Sequence, residues 1–248
     1  MAVSDAVAFP EVADIETASD DYARRFSGAV GVWMLGIQEG TVLDRLRPYP
    51  GATVLDVGGG HGQLAGPLCR AQYPVTVTGS DETCRKRVEP WVQSGVCQFV
   101  KANVLALPFD DRSFDTVLCF RLVTHCERWP DLVRELCRVA RRSVLIDYPT
   151  CQSLNWGASL LFGAKKKLEG NTRIFRLFRH AEIADALGRQ GFEVRFRTGQ
   201  FFWPMVLHRV LRCVPASRAL EGVPRALGLC QAWGSPVILE ADRRVSEM

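Results

Sequence analysis

A short stretch of the chain alternates one acid with closely spaced glycines: Asp56, Gly58, Gly59, Gly60 and Gly62. Glycine lets the backbone adopt positive φ and lets a ligand approach bare peptide groups. The apolar residues around Asp56 indicate a buried strand, and a helical pattern begins at Leu64. The start of a helix offers unpaired N–H groups to a polar or anionic ligand. This strand, loop and helix therefore predict a site for the polar part of a nucleotide-like cofactor.

Two classes of cofactor fit the glycine loop. The pattern Gly60-x-Gly62-x-x-Ala65 satisfies the dinucleotide fingerprint. The pattern Asp56-x-Gly58-x-Gly60-x-Gly62 instead places an acid in the strand just before the loop. A carboxylate there suits a ligand that bears an ammonium and a sulfonium, and it would repel a pyrophosphate. The second pattern resembles motif I of the class I S-adenosylmethionine-dependent methyltransferases, and we favour this interpretation of the loop.

An acid follows the next predicted strand. The β-branched run Pro74 to Gly79 leads into Ser80 and Asp81, roughly twenty residues after the glycine loop. An acid at this place can bind both ribose hydroxyls, so we predict a ribose contact for Asp81, with Glu82 beside it. Asp81 could instead cap a helix predicted over Glu82 to Val92. Both cofactor classes use this acid, so it indicates a ribose-bearing ligand without choosing between them.

The most specific resemblance to the methyltransferase family lies between the third and fourth predicted strands. Leu107-Pro108-Phe109 and Ser113-Phe114-Asp115 match the family's segment, and nicotinamide enzymes have no reason to show it. Asn103 stands where the family usually has an aspartate that faces the adenine amino group. The Asn103 carbonyl can still accept that hydrogen bond, as a neutral contact. The resemblance thus implies an adenine site at Asn103 and Val104.

The fourth predicted strand ends at the carboxyl edge of the sheet, where ligands bind in open α/β folds. By the resemblance, Phe120 or Arg121 would flank the sulfonium of the cofactor. Methyl transfer needs a base only when the acceptor is a hydroxyl or an acidic carbon. His125 and Tyr148 are the candidate bases, and a structural role for each is an open alternative. The sequence indicates no metal site.

The resemblance also covers a helix predicted to begin at Trp129. Glu135 and Arg138 match the family's Glu-x-x-Arg-Val pattern. Such a pair usually anchors loops and takes no part in the chemistry. We therefore predict a structural role for both residues.

The alternation of strand and helix patterns independently predicts a doubly wound parallel sheet. The resemblance implies the Rossmann-like methyltransferase fold, an α/β sheet of seven strands, with the seventh antiparallel, and helical substrate-cover segments. We expect one domain over residues 1–248. Its parts are a helical cover at 1–50, a cofactor-binding core at 51–148, a cover insertion at 149–180 and C-terminal helices and strands at 181–248.

Two segments are expected to meet the acceptor. The predicted insertion carries Trp156, three further large apolar residues and Lys165–Lys167, and Phe201–Trp203 follow the sixth strand. Aromatic side chains can line an apolar acceptor site, and core packing explains them equally well. The basic residues could attract an acidic acceptor or a membrane surface, or form a solvated face. Residues 1–20 are expected to form a loosely ordered acidic leader. Helical patterns are predicted from Tyr22 to Leu46, over the amphipathic stretch Met205 to Cys213 and from Pro224.

Composition narrows the class of protein. The net charge of +4 is mild and gives no reason to expect nucleic acid as a partner. We expect no integral membrane segment, because no apolar run is long enough, although peripheral membrane contact is possible. The cysteines are scattered singly, which favours a reducing, cytoplasmic compartment. Nothing indicates an oligomeric state.

The sequence therefore predicts an enzyme that uses S-adenosylmethionine to methylate oxygen or carbon of a small, apolar or lipid-like acceptor. Two alternatives use the same loop. One is a nicotinamide-dependent oxidoreductase, although Tyr148 is followed by Gln152, so the Tyr-x-x-x-Lys pattern is absent. The other is a protein that binds S-adenosylmethionine for regulation or assembly, without turnover.

Overall fold

The computed structural model describes residues 9–154 and 174–244. One sheet contains the strands β1 (Val54–Val57), β2 (Val75–Gly79), β3 (Cys97–Lys101), β4 (Phe114–Cys119), β5 (Ala140–Tyr148), β6 (Phe192–Gly199) and β7 (Val237–Arg243). Their order across the sheet is β3-β2-β1-β4-β5-β7-β6. Strands β3, β2, β1, β4 and β5 run parallel, whereas β7 is antiparallel to both β5 and β6. This topology confirms the predicted fold.

Helices cover both faces of the sheet. They are α1 (Ala13–Thr17), α2 (Asp20–Arg24), α3 (Gly28–Leu46), α4 (Ala65–Arg70), α5 (Glu89–Gln93), α6 (Trp129–Val139), α7 (His180–Arg189), α8 (Met205–Leu211), α9 (Val214–Ala226) and α10 (Leu229–Trp233). Apolar residues of α6 and α7 pack with Leu55 and Val117 in one core. Residues of α3 and α4 pack with Val54 and Leu118 in a second core. Successive residues of a strand point to opposite faces, so β1 and β4 contribute to both cores.

The N-terminal helices differ from the prediction. The continuous helix expected from Tyr22 to Leu46 is broken into α2 and α3, because Gly28 adopts a left-handed φ of 74°. The expectation that residues 1–20 are loosely ordered is wrong for Ala13–Thr17, which form α1. The helix expected over Glu82 to Val92 is also wrong in extent: a 3₁₀ turn at Glu82–Arg85 precedes the short α5.

The C-terminal helices were only partly predicted. A helix was expected to begin at Pro224, but Pro224 lies inside α9, which begins at Val214. The amphipathic stretch predicted from Met205 forms α8. Residues 155–173 lie outside the described residues, and with them Trp156 and Lys165–Lys167 of the predicted cover insertion. Over the described ranges, no helix has both the length and the apolar character needed to cross a bilayer.

Candidate functional site

Three strands deliver the candidate site residues to one edge of the sheet. Strand β1 lies between β2 and β4, and all three are parallel, so their carboxyl ends meet at the same edge. There β1 continues into the glycine loop, β2 into Ser80 and Asp81, and β4 into Phe120 and Arg121. This edge is where open α/β sheets bind their ligands.

The backbone of the glycine loop requires glycine. Gly58 and Gly62 have left-handed φ values of 70° and 72°, and residues 59–61 between them form a 3₁₀ turn. A Cβ atom at Gly60 would lie 2.8 Å from the carbonyl oxygen of Cys84, and one at Gly58 would lie 2.7 Å from Leu122 Cδ2. The loop is therefore held tightly against its neighbours, with its bare peptide groups at the sheet edge.

Asp56 lies beneath this loop as an unpaired buried acid. Its side chain is fully buried, and neither carboxylate oxygen has a hydrogen-bond partner among the described residues. Burial raises the pKa of Asp56 to about 7; the positive charge of Arg121 opposes this rise, and the nearby Asp147 adds to it. A cationic ligand group above the loop would stabilise the ionised carboxylate. The position fits the ammonium end of an amino acid.

His61 is the second buried polar group of the loop. Its Nδ1 accepts a hydrogen bond from the backbone N–H of Gln63 at 3.2 Å, and its Nε2, which lies near the Phe120 backbone, makes no hydrogen bond of good geometry among the described residues. Burial lowers the pKa of His61 well below its usual value, and the charge of Arg121 lowers it further. The imidazole is therefore neutral at physiological pH and can donate one hydrogen bond from Nε2.

Arg121 lies beside the loop as a buried cation. Its backbone has a left-handed φ of 60°, and its N–H donates to Asp147 Oδ1. The guanidinium donates to the side-chain oxygens of Gln63 and Gln38 and lies 4.2 Å from the centre of the Phe26 ring. These direct partners are neutral, while the charges of Asp147, Asp56 and Glu39 act on Arg121 from beyond ion-pair distance. A guanidinium with no direct ion-pair partner among the described residues can bind an anion.

A cavity of about 370 Å³ opens between this arginine and the N-terminal helices. His61, Gly62 and Gln63 form its floor, and Tyr22 and Phe26 contribute aromatic walls. The glycine loop and the unpaired cation thus face the same space. The site combines an acid under the loop with a basic group at its side, as an amino-acid zwitterion requires.

Asp81, the residue predicted to bind the ribose, lies farther out on the same edge of the sheet. The Asp81 carboxylate accepts a hydrogen bond from the backbone N–H of Thr83 at 3.0 Å and lies 3.7 Å from Lys101 Nζ. The Thr83 N–H and then Lys101 lower the pKa of Asp81, so the group is ionised at neutral pH. Asp81 therefore caps the 3₁₀ turn that begins at Glu82, and its side chain is 38% exposed. A carboxylate has about four acceptor sites, so capping leaves capacity for a ligand.

The predicted adenine contacts follow β3. Asn103 Oδ1 accepts a hydrogen bond from the backbone N–H of Leu105 at 3.0 Å, and Val104 is completely buried. An amide oxygen has two lone pairs, so Asn103 can accept one further hydrogen bond. The structure therefore places Asn103 in a folded turn rather than in an open strand end.

Helix α1 lies directly on this edge. The Asp14 carboxylate is fully buried; it accepts a hydrogen bond from the backbone N–H of Ser80 at 2.6 Å and another from the Ser80 hydroxyl. Glu11, just before α1, accepts a hydrogen bond from the backbone N–H of Arg128 at 2.8 Å. On the other side, Arg87 donates to the carbonyl of Ala18. Residues 11–18 therefore form a strap, which we call the N-terminal strap, across the carboxyl ends of the strands.

The N-terminal strap could not be predicted from the sequence, because its acid is buried and its apolar side chains are exposed. Asp14 is fully buried, whereas the apolar side chains of Val12 and Ile15 are 44% and 39% exposed. Sequence patterns detect helices by apolar residues that recur on a buried face. Here the buried anchor is a carboxylate, so the only available signal was the acidic composition.

The remaining predicted residues lie behind the edge. Phe120 has no exposed surface and packs in the core. Tyr148 is also fully buried, its hydroxyl lies 3.0 Å from His180 Nδ1, and burial raises its pKa. His125 is 9% exposed, and its Nδ1 lies 2.8 Å from the carbonyl oxygen of Ile174.

The structural role predicted for the Glu-x-x-Arg pair is confirmed. Arg138 donates to the carbonyl oxygens of Leu107 and Phe109, and Glu135 accepts from the Leu107 backbone N–H at 2.9 Å. Arg138 also bonds Glu135 directly. The pair holds the connection between β3 and β4, and none of these hydrogen bonds involves the glycine loop.

Comparison with known proteins agrees with this geometry. Residues 55–146 match a family model described as a methyltransferase domain. A malonyl-[acyl-carrier protein] O-methyltransferase of Halorhodospira halophila is 29% identical over 203 residues, which cover 75% of this chain and 66% of the relative. An O-methyltransferase of Pyrenophora dematioidea is 33% identical over 106 residues, which cover 40% of this chain and 39% of the relative. The chain thus matches less than two thirds of the length of either relative.

Solved structures share the fold. Magnesium protoporphyrin IX methyltransferase from Synechocystis PCC 6803, with bound S-adenosylhomocysteine, superposes with a TM-score of 0.64 at 19% identity. The superposition covers 91% of this chain and 94% of that one. Over residues 55–146 the chain is therefore similar to S-adenosylmethionine-dependent methyltransferases, and it has their fold.

Proposed function

We propose that this protein transfers a methyl group from S-adenosylmethionine to oxygen or carbon of a small, apolar or lipid-like acceptor. The observation that carries the proposal is the glycine loop folded over the unpaired, buried Asp56 at the carboxyl edge of β1. When bound, S-adenosylmethionine supplies an electrophilic methyl group on a sulfonium, which is an excellent leaving group. The protein's task is then to bind the cofactor and to hold the acceptor in line with the methyl group.

The chemistry of the site assigns the amino-acid end of the cofactor to the glycine loop. Asp56 attracts the ammonium through the thin layer of backbone at Gly58–Gly60, and His61 Nε2 is available as a donor. Arg121 was expected to flank the sulfonium, but a guanidinium beside a sulfonium would repel it. We assign Arg121 to the carboxylate instead, since its guanidinium hydrogen-bonds only neutral side chains among the described residues.

The nucleoside end of the cofactor is assigned to the neighbouring loops. Asp81 would bind the ribose hydroxyls with the lone pairs that Thr83 does not use, and Glu82 follows it at the exposed edge. Asn103 and Val104 would meet the adenine. Asp14 lies between these groups and the glycine loop, on the Ser80 N–H. Cofactor binding therefore requires the N-terminal strap to move away from Ser80.

Two observations support the proposed class of acceptor: the names of relatives and an apolar surface of the protein. One relative is a ubiquinone/menaquinone biosynthesis C-methyltransferase of Paracoccus denitrificans, 34% identical over 106 residues that cover 40% of this chain and 42% of that protein. Of the predicted aromatic segment, Phe201 is buried against Trp33, whereas Trp203 lines an open apolar groove. Trp203 is thus the aromatic residue of that segment that supports an apolar acceptor.

His125 is the proposed base when the acceptor is a hydroxyl. Its Nδ1 lies 2.8 Å from the Ile174 carbonyl oxygen, which favours the tautomer with the proton on Nδ1. Tyr148 is not proposed, because its raised pKa keeps the phenol protonated and its hydroxyl is bonded to His180.

The test is release of S-adenosylhomocysteine from S-adenosylmethionine with a panel of acceptors. The panel contains catechols, quinols, a fatty acid and a malonyl thioester, and the control is Asp56→Asn. Turnover with an apolar acceptor that falls at least about tenfold in the variant supports the proposal. Binding of S-adenosylmethionine without turnover on any acceptor would favour the regulatory alternative. Turnover of a nicotinamide substrate instead would favour the oxidoreductase.

A further inference from the structure

The three C-terminal helices expose an unusual amount of apolar surface. We call the outer surface of α8, α9 and α10 the C-terminal face, spanning residues 205–233. On α8, Val206 and Val210 are 52% and 72% exposed; Val223 on α9 and Leu227, its C-cap, are 66% and 68% exposed. Each pair is four residues apart, so its members lie on one side of their helix. Trp233, at the end of α10, is half exposed.

An apolar groove runs into this face. It has a volume of about 520 Å³ and is lined by Leu154, Trp203, Pro204, Val206, Leu207 and Val210. None of these side chains carries a charge, and only the Trp203 indole offers a polar atom, which donates to the Leu220 carbonyl. The groove therefore suits a hydrocarbon chain better than a polar ligand.

The charge of the face has one sign. Arg209, Arg212, Arg218 and Arg225 are exposed. The described stretch 201–234 contains a single acid, Glu221, which is buried and accepts hydrogen bonds from the Phe202 and Trp203 backbone N–H groups. His208 Nε2 also contacts Glu221 at 2.9 Å. The exposed charge of the stretch is therefore entirely positive.

We infer that the C-terminal face docks on the surface of an anionic phospholipid bilayer. Short helices with exposed valine, leucine and tryptophan beside arginine are suited to the boundary between headgroups and acyl chains. The arginines complement anionic headgroups, and the groove offers a place for one acyl chain. An acidic protein without an acyl chain would satisfy the arginines but would leave the apolar groove unused.

The fold also connects the face to the proposed site. Trp33 of α3 packs edge-on against Phe201 and against His208 of α8, with ring centres 5.5 Å and 5.3 Å apart. One turn farther along α3, Gln38 binds the guanidinium of Arg121, and Glu39 lines the cavity beside the glycine loop. A single helix therefore links the docking surface to the site where an apolar acceptor would react.

The test is flotation of the full chain with vesicles of phosphatidylcholine, alone or with about 30% phosphatidylglycerol. We expect binding to the anionic vesicles that weakens at high salt, since exposed charges are screened. Val210→Asp should reduce it at least about tenfold, because a charge replaces an inserted apolar group. Val96→Asp, at a residue 47% exposed near β3, is the matched control and should bind as the wild type does.

A charge variant tests the role of the exposed arginines in binding anionic lipid. Arg218→Gln should weaken binding to anionic vesicles about fivefold, whereas Arg24→Gln on α2 should leave it unchanged. Melting curves and titration with S-adenosylhomocysteine show that each variant is folded, independently of vesicle binding. Failure of the wild type to bind anionic vesicles at low salt would overturn the inference. Equal binding by Val210→Asp, or Val210-dependent binding to acyl carrier protein but not to vesicles, would also overturn it.

Discussion

The Asp14 carboxylate accepts a hydrogen bond from the backbone N–H of Ser80 at 2.6 Å, at the point where β2 ends. Helix α1 thereby covers the surface between the glycine loop and Asp81. The Asp14 side chain also lies close to Gly58, since a Cβ at Gly58 would lie 3.5 Å from Asp14 Cβ. The proposed cofactor would lie across this surface. The N-terminal strap and the cofactor would therefore compete for it.

Replacing Asp14 with alanine should favour the cofactor in this competition. The variant loses two hydrogen bonds of a charged group, each worth about 1.5–3 kcal/mol, which hold the strap on Ser80. We expect binding of S-adenosylhomocysteine to tighten about tenfold and the melting temperature of the free protein to fall. Calorimetric titration and thermal unfolding measure the two effects.

Asp21→Ala is the control for the Asp14 variant. Asp21 is an exposed acid of α2 whose partner is Arg24. An exposed ion pair of this kind contributes little to stability, so both measurements should match the wild type. Unchanged or weaker cofactor binding in Asp14→Ala would show that the strap does not occupy the cofactor's place.

Asp56 should make cofactor affinity depend on pH. Its pKa of about 7 in the free protein means that the carboxylate is mostly protonated at about pH 5.5 and mostly ionised at about pH 7.5. Because the ammonium of the cofactor binds the ionised form, affinity should rise with pH over that window and level off above it. Asp56→Asn should bind more weakly and with a flat pH profile. An equally steep profile in the variant would remove Asp56 from the binding site.

Asp56 should also make stability depend on pH in the opposite direction. The folded-state pKa lies above the value of about 3.9 in the unfolded chain, so the folded state binds more protons between those values. The contribution of Asp56 to stability therefore falls as pH rises from about 4 to about 7. Asp56→Asn should raise the free energy of unfolding by at least about 1 kcal/mol at pH 8, with no gain at pH 4. Denaturant titrations at both pH values provide the measurement.

Gly58→Ala should distort the loop. Alanine at a φ of 70° is strained by about 1 kcal/mol, and its Cβ would lie 2.7 Å from Leu122 Cδ2. We expect a loss of stability of about 2 kcal/mol and a loss of cofactor binding of at least tenfold. Gly40→Ala is the matched control: Gly40 lies in α3 with open space around its Cα, so alanine should stabilise the helix slightly. Normal cofactor binding by Gly58→Ala would contradict the assignment of the loop.

Arg121→Gln should separate the two ends of the cofactor. S-adenosylhomocysteine carries the amino-acid carboxylate, whereas 5′-methylthioadenosine has the same nucleoside without it. The variant should bind the first at least about tenfold more weakly and the second unchanged, because one charge-assisted contact is lost. Arg134→Gln, at an exposed arginine of α6 that pairs with Asp131, is the control and should bind both ligands normally. Equal losses for both ligands in Arg121→Gln would indicate a structural role.

The sheet and its glycine loop were predictable because each depends on local sequence. Buried strands such as Val54–Val57 consist mostly of apolar residues, and a glycine loop after one of them indicates a nucleotide-like ligand at the edge of an α/β sheet. The role of Glu135 and Arg138 could be predicted for the same reason, since a short pattern on one helix fixes both partners.

The parts that escaped prediction depend on contacts between distant segments. Asp14 is buried only because Ser80, far along the chain, supplies its donors. The direction of Arg121 follows from a positive φ that no sequence pattern indicates for arginine. Pro224 is tolerated inside α9, so a residue that usually ends a helix gave the wrong boundary.

The most direct test of the account is calorimetric titration of the full chain with S-adenosylmethionine and, separately, with NADH, repeated on Asp81→Ala. We predict micromolar binding of S-adenosylmethionine, no binding of NADH, and roughly tenfold weaker binding in the variant, because a charge-assisted bond to the ribose is lost. Binding of NADH without S-adenosylmethionine would contradict the account, and so would binding of neither ligand.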